Sequence, residues 1–365
     1  NGNIITNQKP IAMRKNFLRF LKVQKNGSNK YQLILCIMYP NQRNRRLRQS
    51  RAIRALVSEN QLTVNDLMLP LFVTEGKQVK ESIQAMPGIY RMSLDLLKEE
   101  VKIAWSMGIK AVLVFVKVSD KLKDNHGTEA INQNGLMQRA VREIKSSIPE
   151  IVVMTDVALD PYSSLGHDGI VENKKVLNDP TLEILSQMAL SHANAGADFV
   201  APSDMMDGRV LRIRTTLEEA GLHNIGIMSY SAKYASSLYG PFRQALDSSP
   251  GFGDKKTYQM DPANRFEAIT ETIRDINEGA DIVMVKPGMS YLDIVCDLRE
   301  KIEAPIAVYQ VSGEYAMLKA AAKKGWLNYD DVMMEQLIAF KRAGASLIAT
   351  YHAKEAAKLL SQTKH

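Results

Sequence analysis

The first 58 residues contain no aspartate or glutamate, although 40 acidic residues occupy the rest of the 365-residue chain. The same segment carries 13 lysines and arginines. Without it the balance is 34 basic residues against 40 acidic ones, so the net charge of +7 belongs to the N-terminal segment and the body is mildly acidic. Such a segment suits contact with anionic partners, nucleic acid among them. Nothing else in the chain reads as a nucleic-acid module, and no nucleic-acid partner is expected. Cysteine is scarce too. Cys36 and Cys296 are the only two, at no metal-ligand spacing, which argues against a disulfide framework and fits a reducing compartment. No run of about 18 apolar residues occurs, so no helical membrane span is expected.

What is present reads as globular. The chain is 45% hydrophobic, enough to bury the core of two ordinary domains or of one large α/β barrel. Residues 1–37 are polar, basic and Asn-rich, and read as a disordered extension. Met38 then opens a plausible natural start, followed by the Arg-rich segment 38–61. A natural start there favours the cytoplasm; if residues 1–37 are instead a transit peptide, a plastid is the alternative.

From about residue 62 short β-rich runs alternate with helical patterns. Eight strands are predicted, at 68–73, 111–116, 151–159, 198–203, 225–232, 281–287, 305–311 and 347–353. Most are nearly continuous apolar runs, as parallel strands covered on both faces require. A helix ends at Gly108, Gly196, Gly279 and Gly344, each time two or three residues before a strand. Glycine suits the left-handed residue that closes a helix. The pattern predicts a (β/α)8 barrel over 62–365, with a doubly wound sheet as the alternative.

In such barrels chemistry gathers at the C-terminal strand ends. Those ends carry Asp156 and Asp160, Ser203 and Asp204, Lys233, Lys286, Ser312 and Tyr351. A single strand-end lysine is usually a solvated surface group. Two on neighbouring strands would face one mouth. Mutual repulsion and apolar walls lower an ammonium's pKa. Moving a lysine from about 10.4 to about 7.5 takes roughly 4 kcal/mol and leaves a free amine able to attack a ketone and form a Schiff base. The Gly- and Pro-rich stretch 229–260, with Arg243, Lys255 and Lys256, reads as a surface loop or as a lid whose cations hold a carboxylate.

The stretches "DVALDPYSSLGHDG" (156–169), "VAPSDMMDGR" (200–209), "SYSAKYASSLYGPFR" (229–243), "YQMDPANR" (258–265), "IVMVKPGMSYLDIV" (282–295) and "YQVSGEYAMLKAAA" (309–322) closely resemble the porphobilinogen synthase (5-aminolevulinate dehydratase) family. The resemblance runs from about residue 43 to about residue 357. It implies a (β/α)8 barrel with an extended N-terminal arm that condenses two 5-aminolevulinate molecules to porphobilinogen with loss of two waters, early in tetrapyrrole (haem) synthesis. It implies that Lys286 forms the Schiff base with the P-site substrate and Lys233 that with the A-site substrate. Ser312 and Tyr351 match the P-site carboxylate binders. Arg243, Lys255 and Gln259 match those of the A site. Asp156 and Ser203 match groups around the P-site amine, and Tyr239 and Phe242 the aromatic lid residues.

Some family members bind catalytic zinc through three cysteines after strand 3. The corresponding positions here are Ala158, Asp160 and Asp168. Oxygen donors favour harder cations or none, so no catalytic zinc is expected, and the chain resembles the aspartate-rich, zinc-independent type. His167 beside Asp168 is the one soft donor nearby. Glu271 matches a glutamate of an allosteric Mg²⁺ site, and Leu165 replaces a polar residue common at its position. The segment 38–61 matches the arm that wraps a neighbouring subunit, which implies a homo-octamer built from dimers. The rival enzyme reading is another lysine-dependent barrel acting on a keto acid, for which one Schiff-base lysine would suffice. A non-catalytic scaffold is the other.

Overall fold

The computed structural model describes residues 42–248 and 250–362; the extension read at 1–37 lies outside them. The chain divides into two units, one up to Ser58 and one from Glu59. In the first, a 3-10 turn (Asn44–Arg48) precedes a short helix (Arg51–Leu56). Ser50 starts that helix by accepting a hydrogen bond from the Ile53 amide, 3.2 Å, on its side-chain oxygen. Leu47 and Leu56 are exposed there.

The second unit holds eight strands in one closed parallel sheet. They are β1 (Leu67–Val73), β2 (Ala111–Val116), β3 (Val152–Val157), β4 (Phe199–Pro202), β5 (Gly226–Lys233), β6 (Ile282–Lys286), β7 (Ile306–Gln310) and β8 (Leu347–Thr350). Each pairs with the next, and β8 returns to β1 through Ile348 beside Leu67 and Ala349 beside Met68. Closure decides for the barrel over the doubly wound sheet. All eight predicted strands are present. The four glycines expected to close helices have φ of +90°, +104°, +109° and +118° at Gly108, Gly196, Gly279 and Gly344, a region other residues enter at a steric cost.

Around the barrel lie α1 (Leu94–Ser106), α2 (Leu136–Ser147), α3 (Asn178–Asn194), α4 (Arg209–Glu219), α5 (Gly240–Leu246), α6 (Phe266–Asn277), α7 (Leu292–Lys301), α8 (Ser312–Lys323), α9 (Tyr329–Ala343) and α10 (Ala353–Gln362). Strand alternation sorts the core into two layers. Val153, Val200, Val283, Val285, Val308 and Ile348 face the helices. Met154, Ala201, Met228, Met284, Ala307 and Ala349 fill the barrel interior. Full burial of each large aliphatic side chain contributes about 1.5–3 kcal/mol. Two residues beyond an interior position lies the next interior position. That step carries Met154 to Asp156, Ala201 to Ser203, Met284 to Lys286 and Ala349 to Tyr351.

One strand needs a correction to reach the same phase. Val283 lies beside Ser229 but Val285 lies beside Ala232, so β5 holds one residue more than β6 over that interval. This bulge shifts the alternation after Tyr230. Ala232 then joins the outer layer, and Lys233 comes into register with Lys286.

Candidate active site

Both lysines end buried, 5% exposed for Lys286 and 6% for Lys233. Their surroundings differ. The Lys286 ammonium nitrogen lies over four rings, with centroids at 4.7 Å (Tyr309), 4.9 Å (Tyr230), 5.0 Å (Phe242) and 5.2 Å (Tyr239). Burial first, and Lys233 second, push its pKa down to about 7, against the pull of Asp156, Asp160 and Asp168. Its carbonyl accepts from the Tyr234 amide, 2.9 Å, and from the Tyr239 hydroxyl, 3.1 Å. Lys233 instead donates to the Ser203 carbonyl and stands 3.8 Å from an Asp168 oxygen.

Three buried carboxylates complete the floor. Burial, then repulsion from Asp160, raises Asp156 to about 7, although a Ser203 hydrogen bond and both lysines oppose it. Burial raises Asp160 as well, against the attraction of Lys255. At Asp168 burial is outweighed by Lys255 and Lys233, which hold it below the usual carboxylate range. The Lys255 nitrogen lies 2.8 Å from an Asp168 oxygen and 3.4 Å from one of Asp160. It thus sits as an internal cation between two carboxylates.

A cavity of about 30 Å³ is lined by Asp156, Asp160, Asp168, Ser203, Lys233, Tyr239, Phe242, Arg243, Ser248, Lys255, Gln259 and Lys286. Eleven of these were expected from the sequence; Ser248 was not. Ser312 and Tyr351 lie outside that cavity. The Ser312 hydroxyl accepts from the Phe242 amide, 3.0 Å, and donates to the Leu238 carbonyl, 3.3 Å. The Tyr351 hydroxyl meets that of Tyr309 at 2.9 Å, and its ring stacks on Phe72. Glu271 does not line that cavity. It lines a cavity of about 900 Å³ with Asp207 and Glu267 and pairs with Arg274 at 3.0 Å.

The stretch read as a loop or lid is a strand, then α5, then irregular residues at 247–248 and 250–258. His167 fastens the last part. Its Nε2 donates to the Phe252 carbonyl and its Nδ1 accepts from the Tyr258 hydroxyl, both 3.1 Å. Both ring nitrogens are thereby used. Leu165 contributes through its backbone, its carbonyl accepting from the Gly251 amide at 2.9 Å. Among the described residues, no group of three or more His, Cys, Asp and Glu side chains gathers as a metal site.

Strand-end reading missed Tyr230 and Tyr309, which box Lys286. The signal was available one alternation step earlier: Tyr309 is two residues beyond interior Ala307, and Tyr230 two beyond interior Met228.

Fold and site together define a (β/α)8-barrel enzyme with paired lysines and three carboxylates at its C-terminal mouth. The family model of delta-aminolevulinic acid dehydratase matches residues 41–359. The chain is 50% identical over 320 residues to delta-aminolevulinic acid dehydratase of Bacillus subtilis, covering 88% of this chain and 98% of that one. It is 53% identical over 320 residues to the chloroplastic protein of that name from Oryza sativa, covering 87% and 75%. The crystal structure of delta-aminolevulinic acid dehydratase (porphobilinogen synthase) from Toxoplasma gondii, in complex with the reaction product porphobilinogen, superposes with a TM-score of 0.86 at 51% identity, covering 87% of this chain and 91% of that one. The chain therefore belongs to the delta-aminolevulinic acid dehydratase family, a family of lyases.

Proposed function

We propose that the buried lysine pair carries the family reaction, with Lys286 as the P-site nucleophile and Lys233 as its A-site partner. The reaction follows from family membership: two 5-aminolevulinate molecules condense to porphobilinogen and two waters leave. The observation that carries the lysine assignment is the register of Lys286 with Lys233 across two strands, one boxed by rings and the other facing carboxylates. A neutral amine at Lys286 attacks the substrate ketone. The resulting iminium withdraws electrons from the adjacent carbon, whose proton then needs a base. Asp156, raised to about 7, suits an acid–base exchange at neutral pH, and with Ser203 it is positioned to meet the substrate amine.

The two substrate carboxylates need separate anchors. We assign the P-site carboxylate to Ser312 and Tyr351, and the A-site carboxylate to Arg243, Lys255 and Gln259. A cavity of 30 Å³ holds about one water, so two substrates enter only if the segments bearing Tyr239, Phe242, Ser248 and Lys255 move outward. A substrate carboxylate would also compete with Asp160 and Asp168 for Lys255.

That ammonium between two carboxylates supports the aspartate-rich, zinc-independent assignment, because the space where a metal would neutralise charge already holds a cation. For Mg²⁺ we assign Glu271 as an allosteric contact. Its carboxyl is raised by burial and then by Asp275, against the pull of Arg274 and Arg209, and Asp207 and Glu267 line the same cavity and would add oxygen donors for a hydrated cation. Added Mg²⁺ is expected to raise the rate and Glu271→Ala to remove that rise; a response surviving in the variant would move the metal elsewhere. We further propose a homo-octamer built from dimers, held in part by the Arg-rich arm. Exposed Leu47 and Leu56 on the arm, and exposed Phe266 and Trp326 on the barrel, suit subunit contacts. We assign the enzyme to the cytoplasm, or to a plastid if residues 1–37 direct import; no described helix is long and apolar enough to cross a membrane.

Borohydride trapping tests the mechanism. The protein is incubated with 5-aminolevulinate, reduced, digested and mapped by mass. A substrate-dependent adduct on the Lys286 peptide, with or without one on Lys233, is the expected result. Absence of both adducts in folded protein would overturn it and return the scaffold reading.

A further inference from the structure

Glu314 is 3% exposed and pairs with no cation at salt-bridge distance among the described residues. A carboxylate buried in that way is costly unless its oxygens are fully used. They are used entirely by backbone. One oxygen accepts from the Met289 amide, 2.7 Å; the other accepts from the Val311 amide, 2.7 Å, and the Gly288 amide, 3.4 Å. The bond to Val311 is ordinary helix chemistry, since Glu314 is the third residue of α8 and reaches back to the residue before it. The bonds to Gly288 and Met289 are not needed for that. They belong to the turn that follows Lys286, on another strand.

The neighbours of Glu314 serve the same junction. A methyl group on Gly313 would lie 2.5 Å from the Leu238 carbonyl, so the segment before α5 presses against the first turn of α8. Ser312 holds that segment through Phe242 and Leu238. Gly288 is equally confined, with Val308 and Phe340 each 2.7 Å from where a methyl would stand. Three consecutive residues therefore join the turn after the nucleophile, the proposed carboxylate anchor and the lid.

We propose that Glu314 is a positioning residue for the reaction: its carboxylate clamps the turn after Lys286 to the start of α8, fixing the strand end from which the nucleophile projects. This rests on the assignment of Lys286 as the imine-forming residue. Tyr234 and Tyr239 hold the Lys286 carbonyl from one side, and Glu314 holds the following two amides from the other.

The test compares wild type with Glu314→Gln, whose amide keeps one acceptor and turns an NH₂ toward the second set of N–H groups. Glu314→Asp, one methylene shorter, is the second variant, and whichever folds with wild-type circular dichroism is measured. The expected result is a fall in kcat of about 10–100-fold with KM changed far less, because small misplacement of a reacting group acts on the chemical step. The rate of borohydride-trapped adduct formation at Lys286, at saturating 5-aminolevulinate, should fall in parallel. A lower melting temperature with unchanged kcat and trapping rate would reduce Glu314 to a helix cap and overturn the proposal. If wild type itself gives no Lys286 adduct, the imine assignment fails instead, which the wild-type arm reads separately.

Discussion

Lys286 and Lys233 are the same residue type, in register on adjacent strands, almost equally buried, yet the barrel treats them oppositely. Around Lys286 stand four aromatic rings, which supply only a weak attraction for a cation. Around Lys233 stand the Ser203 carbonyl and Asp168. The first environment leaves a lysine easy to deprotonate; the second gives the lysine nitrogen oxygen partners. Neighbouring positions in one sheet can thus carry different chemistry, because the third dimension, meaning which loops and strands fold over each, sets the local dielectric and charge.

The largest test replaces each lysine by methionine, which keeps the stem and removes the amine. Both variants should lose porphobilinogen formation by about 10⁴-fold or more. Their stabilities should move in opposite directions. Lys286→Met removes a buried amine that has no salt-bridge partner among the described residues and should raise the melting temperature, by an increment of about 4 kcal/mol at most. The gain should be greatest below pH 7. The folded pKa lies below the unfolded value of 10.5, so the unfolded chain binds more protons and the wild-type lysine weakens the fold as pH falls toward 7. Lys233→Met strands the Ser203 carbonyl and an Asp168 oxygen and should cost about 1–3 kcal/mol. Thermal melts at pH 6 and pH 9 read both signs; equal shifts in the two variants would erase the contrast.

Next in size is Lys255→Ala, which leaves Asp160 and Asp168 facing each other without their cation. Breaking a buried pair this way costs about 3–5 kcal/mol. Adding Asp168→Asn should recover much of the stability but not the activity, since the A-site carboxylate would still lack an anchor. Full recovery of activity in the double variant would show that Lys255 serves only the carboxylates.

Much of this contrast was legible before any coordinates. The run "ADIVMVKPG" is nearly continuously apolar up to Lys286, so a covered strand that ends in a lysine at the barrel mouth follows from the pattern alone. Lys233 is different. "GIMSYSAK" contains no glycine or proline at the bulge that turns Lys233 inward, so only pairing with β6 reveals it. The role of Lys255 was half visible. Its charge marked it as a carboxylate binder, but that its partners in the free protein are Asp160 and Asp168 depends on a fold-back of residues 250–258 that no local pattern encodes. Glu314 in "SGEYAM" reads as an ordinary helix start; its bonds to Gly288 and Met289 join segments 25 or more residues apart.

The smallest expected effect comes from Tyr309→Phe, which keeps the ring over Lys286 and deletes the hydroxyl that meets Tyr351. One buried hydrogen bond is worth about 1 kcal/mol. The variant should raise KM about fivefold with little change in kcat, because the box that tunes Lys286 stays intact while the proposed carboxylate anchor loses its support. A fall in kcat with unchanged KM would assign the hydroxyl to the chemistry instead.

The central claim is that Lys286 is a free amine near neutral pH, and the pH dependence of its own adduct tests it most directly. Borohydride trapping with 5-aminolevulinate, mapped to the Lys286 peptide from pH 5.5 to pH 10, should show the initial rate climbing through about pH 7 and levelling above it, since the attacking form is the unprotonated one. A rate that keeps climbing to pH 10, as for an ordinary lysine, would contradict the claim.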